Sequence, residues 1–189
     1  MEEKKKNTEG FIPAHGGYRK LITYQKAEII YDGTVYFTKR FFQKYDRTID
    51  QMVQAARSGK QNIAEASMAS ATKETEIKLT NVARASLEEL LIDYEDFLRT
   101  NKLPKWDKEH KLVARLRELN KIPNGNYETF KKAIENESPE ICANAMTGLI
   151  KVATYLLNQQ IKQLEQAFIN EGGLRERMTK ARINQRNKK

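Results

Sequence analysis

Residues 73–100 read KETEIKLTNVARASLEELLIDYEDFLRT, and the spacing of their apolar side chains decides the fold. Leu79, Ala83, Leu87, Leu90, Leu91, Tyr94, Phe97 and Leu98 recur at helical spacing. On a helical wheel they fill an arc of about 120°, the width of a face buried against other helices. Glu89, Asp93 and Asp96 fall on the opposite side. The stretch predicts a long amphipathic helix over Lys73–Thr100 that needs partners to cover its apolar face.

Those partners are legible on both sides. Proline stands only at Pro13, Pro104, Pro123 and Pro139, which leaves long blocks free of the residue that breaks helices. No stretch joins alternating polarity to β-branched enrichment and hairpin turn residues, so the chain reads as all-α. A first helix is expected over 21–45, with Tyr24, Tyr31, Val35, Phe41, Phe42 and Tyr45 as an aromatic face. Gly33 is its expected weak point, since glycine inside a helix costs about 1 kcal/mol relative to alanine.

A second helix is expected over 48–69 with Thr48 as its cap. Ile49, Met52, Val53, Ala56, Ile63 and Ala64 form one stripe of it, and Ala55, Gly59 and Ala66 form another of minimal side chains. A helix with both stripes should be gripped on two sides. Together they exceed what one groove within the chain covers, which predicts a homo-oligomer.

Residues 101–138 read as an insertion with Trp106, an amphipathic stretch at 112–119, the turn Pro123-Asn124-Gly125-Asn126 and a short helix over Tyr127–Ile134. The fourth long helix should start with Ser138 as cap and Pro139 at its first position and run to about residue 170. Its buried side is marked by Ala145, Leu149, Val152, Leu156, Leu164 and Phe168, and Gly172-Gly173 ends it. The expected architecture is an up-down four-helix bundle over 21–170. A flexible segment, 1–20, precedes it and a basic tail, 171–189, follows.

Composition narrows the function. Of 189 residues, 39% are hydrophobic, enough for a core, and the formal net charge is +9. No apolar run approaches the roughly 20 residues of a membrane span, and the charged start lacks a leader pattern, so a soluble cytoplasmic protein is expected. Cys142 is the only cysteine, which excludes an intramolecular disulfide. Neither His15 nor His110 lies near it in sequence, and it reads as a small buried residue rather than a nucleophile. Arg57-Ser58-Gly59-Lys60 lacks the earlier glycine and the following Ser or Thr of a phosphate-binding loop. Glu89, Asp93 and Asp96 have helical spacing that could hold a divalent cation, but a solvated or salt-bridged face is their default. No catalytic residue, cofactor or metal site is read.

Cations carry the remaining signal. Lys60 falls inside the apolar stripe, where a charge must snorkel or meet a partner. Glu65 and the acids of the third helix are candidate partners, and contact with a ligand is the other reading. The last 19 residues hold seven bases and two acids, +5 of the net +9. Leu174, Met178 and Ala181 have helical spacing there, while Arg175, Arg182 and Arg186 share another face. Such a basic amphipathic helix can bind nucleic-acid phosphates, an acidic protein groove or an anionic membrane surface, or can simply aid solubility.

The run from Tyr45 to Ala66, with Ala55-Ala56-Arg57 followed by Asn62-Ile63-Ala64-Glu65, resembles the second helix of a bacterial four-helix-bundle family. That family includes proteins encoded in intervening sequences of large-subunit ribosomal RNA genes and the accessory variability determinants of diversity-generating retroelements. Ala66 stands where that motif usually has glycine. Ala83-Arg84-Ala85-Ser86-Leu87-Glu88-Glu89-Leu90 resembles the third-helix signature, and the ending Glu171-Gly172-Gly173-Leu174-Arg175-Glu176-Arg177-Met178 is similar to the branch with a four-helix-bundle suffix.

The resemblance implies a ring-like homopentamer and a basic surface presented to RNA or DNA. It also implies a reverse transcriptase or a ribosomal component as a protein partner. Asn62 and Glu65 match the motif and, on a packed helix, should pair across helices or subunits. Arg57 matches too, as a ligand contact or a surface charge.

The reading is therefore a non-enzymatic, oligomeric nucleic-acid-binding or ribonucleoprotein accessory protein. Its expected contacts are Arg57, Lys60, Arg175, Arg177, Lys180, Arg182 and Arg186, with Gly59, Asn62 and Glu65 as structural motif. The alternative is a protein-interaction scaffold whose basic tail docks on a protein partner.

Overall fold

In the computed structural model, which describes residues 17–69 and 72–187, the helix read first forms over Lys73–Thr100. In chain order the helices are α1 (Ile22–Phe41), α2 (Arg47–Met68), α3 (Lys73–Thr100), α4 (Lys111–Asn120), α5 (Tyr127–Ile134), α6 (Pro139–Glu171) and α7 (Leu174–Arg186). No strand forms among the described residues. The expected segment 1–20 lies outside them up to residue 16, His15 included, and a short 3-10 turn, Tyr18–Lys20, leads into α1.

Helix α3 buries Thr80, Ala83, Leu87, Leu90, Tyr94 and Leu98. These recur three or four positions apart, so they share one side. α2 covers one flank of that side and α6 the other, while α1 packs on both α2 and α6 and closes the circuit. Tyr94 is fully buried where α3 meets α1. Its hydroxyl donates to Thr34 Oγ1 at 3.1 Å, and Thr34 donates to the Ile30 carbonyl at 2.8 Å, so no hydroxyl in this dry region lacks an acceptor. Burial holds the Tyr94 phenol well above its ordinary pKa. The Phe37 ring packs 4.8 Å from both Tyr94 and Phe97.

Helix α1 departs from the expected range of 21–45. Phe42 turns extended, and Tyr45 takes φ 75° in the connection to α2, where it is 86% exposed rather than part of an apolar face. The buried side of α1 is built instead from Ala27, Ile30, Thr34 and Phe37. α1 runs unbroken through Gly33, the position expected to weaken it. A Cβ there would stand 2.7 Å from Met146 Sδ, so the missing side chain sets how closely α1 approaches α6. The cap of α2 is Asp46, whose carboxylate accepts from the Thr48 amide at 2.9 Å, and not Thr48.

Both stripes of α2 are used within the chain: Met52, Ala56, Ile63 and Ala64 are buried, and so are Ala55, Gly59 and Ala66. A Cβ on Gly59 would fall 2.7 Å from Leu87 Cδ2, which makes α2 on α3 a close backbone approach. The argument for oligomerisation from unspent stripes on this helix therefore fails, because α1 and α3 cover them.

Segment 101–138 joins the same core through Leu116, Phe130 and Ile134. Asn126 and Thr129 cap α5 reciprocally. Ser138 caps α6 and Pro139 opens it, as the sequence indicates. Trp106 ties the segment to α6, its amide donating to Asn144 Oδ1 at 2.9 Å and its indole N–H to Glu140 at 2.7 Å.

Candidate nucleic-acid interface

Gly172 ends α6 at φ 74°, a backbone conformation that a side chain disfavours. The chain restarts at once. Glu176 reaches back to accept from the Gly173 amide at 2.9 Å, satisfying a donor that the start of a helix leaves open. The resulting α7 is thirteen residues, about 20 Å long.

No residue of α7 is buried. Leu174 and Ala181 are half-buried along its apolar ridge, and Met178 on the same ridge is exposed. On the helical wheel Arg175, Arg182 and Arg186 flank the ridge on one side, and Arg177 and Lys180 on the other. Among the described residues of α7, the five bases face one acid, Glu176. At its root Gly173 packs beside Glu74 and Phe168, and half-buried Arg177 keeps its Nε out of solvent. The six preceding helices pack together, whereas α7 builds no broad interface with any of them.

The expected contacts on α2 fall elsewhere. Arg57 is exposed and stands in no ion pair among the described residues. Lys60 is half-buried with its ammonium 4.2 Å above the Tyr31 ring, a cation–π contact within α1–α2 packing. Its partners are thus Tyr31 and the nearby Asp32 of α1, not Glu65 or the acids of α3. Burial raises the Asp32 carboxyl, and the attraction of Lys60 opposes that shift. Asn62 donates to the Ser58 carbonyl at 2.9 Å, and Ser58 Oγ meets Ser86 Oγ across α2 and α3 at 2.9 Å. Glu65 is exposed. The structure thus groups Arg175, Arg177, Lys180, Arg182 and Arg186 on one helix and leaves Arg57 and Lys60 on another.

Other candidate chemistry resolves into packing. Cys142 is buried, its thiol donates to the Ile134 carbonyl, and burial pushes its pKa up to about 12, which suppresses the nucleophilic thiolate. Asp96 pairs with Arg99 at 2.8 Å. Asp93 is half-buried, and its carboxyl is raised first by burial and then by Glu89 and Asp96. No group of three or more His, Cys, Asp or Glu among the described residues is placed to hold a metal ion. No helix among them is long and apolar enough to cross a membrane.

Sequence reasoning passed over Lys26, which α1 buries to 4% exposure. Its ammonium donates to Asn120 Oδ1 at 2.9 Å and sits 4.6 Å over the Phe130 ring, and it pairs with no carboxylate among the described residues. A lysine at helical spacing among apolar residues was the available signal. No protein-family model, curated protein or solved structure matches this chain.

Proposed function

We propose that this chain is a non-enzymatic, cytoplasmic accessory protein that binds nucleic acid or a ribonucleoprotein, built as an up-down four-helix bundle of α1, α2, α3 and α6 with α7 as its basic suffix. The observation that carries this is α7, a formed helix with no buried residue, on which Arg175, Lys180, Arg182 and Arg186 are exposed. A surface of that kind attracts phosphates by releasing their counterions, without base-specific contacts. Arg57 adds a separate exposed cation, while Lys60 is engaged by Tyr31 and contributes less.

The assembly is a homo-oligomer, with a pentamer favoured by the resemblance. Exposed Ile92 on α3 and Tyr155 and Ile169 on α6 are apolar side chains that such an assembly would cover. A reverse transcriptase or a ribosomal component is the protein partner that the resemblance implies. The second reading, a scaffold whose tail docks on an acidic protein groove, is favoured by Met178 and Ile183, which α7 leaves 42% and 49% exposed.

Fluorescence anisotropy with labelled RNA and DNA oligonucleotides tests the reading. Binding in low salt that weakens steeply as salt rises is expected, and affinity undetectable in low salt removes it. Light scattering gives the assembly: a mass near 21.9 kDa across micromolar concentrations would exclude the oligomer.

A further inference from the structure

A groove of about 500 Å³ lies between α4, α5 and the start of α6, apart from α7. Its floor is apolar, made by Leu112, Leu116, Leu119, Ala133, Ile141 and Ala145. The volume falls in the range of sites that bury a small molecule, about 300–1,000 Å³. Trp106 forms part of the wall and is held rigidly, by its bonds to Asn144 and Glu140 and by the His110 ring stacked 4.3 Å away.

The charge on the walls has one sign. Arg115 comes from α4 and Lys132 from α5, both exposed and both lining the groove. Neither stands in an ion pair among the described residues, and no carboxylate lines the groove. Glu140, the acid that Trp106 touches, is occupied by the indole N–H. Two cations above an apolar floor complement a molecule with an anionic head and an apolar body.

We propose that this groove binds a single-chain aliphatic carboxylate, its chain along the α4–α5–α6 floor and its head between Arg115 and Lys132. Burying the chain supplies the affinity, because each methylene removed from water contributes independently of direction. The two cations select an anionic head over a neutral one of equal length.

Trp106 is the only tryptophan in the chain, so its fluorescence reports the groove directly. Titrating the full-length protein with decanoate below its micelle concentration should give a saturable change in Trp106 emission. Acetate should give none and decanol a weaker response. The double substitution Arg115→Gln with Lys132→Gln should lower decanoate affinity by about tenfold or more while leaving decanol unchanged. Ala133→Phe should fill the floor and abolish binding of both. The charge variant changes only exposed positions, so it decides the matter even if the filled variant does not fold. No saturable response to decanoate, or equal binding of decanoate and decanol with no effect of the charge variant, would overturn the proposal.

Discussion

Helices α2 and α7 both set cations beside an apolar stripe, yet the fold treats them in opposite ways. In α2 the small residues Ala55, Gly59 and Ala66 draw α3 close, and Lys60 lies flat on Tyr31. In α7 no residue is fully buried, and Met178 is left open between the two basic flanks. The ratio of small to large apolar residues accounts for the difference. Minimal side chains let a neighbouring backbone approach and enclose the helix, whereas the sparse ridge of α7 offers too little apolar area to dock it. A cation is available to a partner only where its helix is not enclosed.

The largest expected effect comes from breaking the enclosed side. Gly59→Leu puts a side chain where a Cβ alone already stands 2.7 Å from Leu87 Cδ2. Overpacking there should cost about 1–3 kcal/mol, read as a lower midpoint in urea unfolding. A variant as stable as the wild type would mean that α2 and α3 are not held closely.

A smaller effect tests a buried cation within the core. Lys26→Met keeps an aliphatic side chain of similar length and removes from above Phe130 an ammonium whose pKa burial lowers. Below the folded-state pKa the wild type bears a buried charge, so the variant should be more stable by up to about 1 kcal/mol at neutral pH. The unfolded chain keeps the ordinary lysine value and binds more protons in the window between the two. Wild-type stability therefore rises with pH just below that ordinary value. The gap between the two proteins should close there, followed by chemical denaturation at several pH values. A gap that widens with rising pH would show that Lys26 is held by its contacts more than it is penalised by burial.

Much of this fold is legible in the sequence. α3 and α5 occupy the residues their periodicity predicts, and Ser138 and Pro139 start α6 as their chemistry demands. The end of α1 was not legible, because the aromatic run continues past Phe42 while the backbone turns at Tyr45. Side-chain size misled there. α1 buries Thr34 and Thr38, whose hydroxyls bond carbonyls of their own helix and so pass as core residues. The partner of Lys60 was sought on α3, since sequence places stripes on a helix without saying which neighbour meets them. The groove over Leu116 and Ala133 needed three helices in space, and Trp106 alone was its signal.

The open side should show the smallest change in stability and the largest in binding. Replacing Arg175, Lys180, Arg182 and Arg186 with glutamine alters exposed positions only, so the stability should stay within about 0.5 kcal/mol of the wild type. The salt dependence of RNA binding by this variant, set beside that of the wild type, tests the central claim most directly. Wild-type affinity should fall with salt at a log–log slope of about −0.7 to −0.9 for each phosphate neutralised. The glutamine variant, folded, should bind more weakly and with a flatter slope, by up to about one unit for each base in contact. An unchanged affinity and slope in that folded variant would contradict the account and move the nucleic-acid surface off α7.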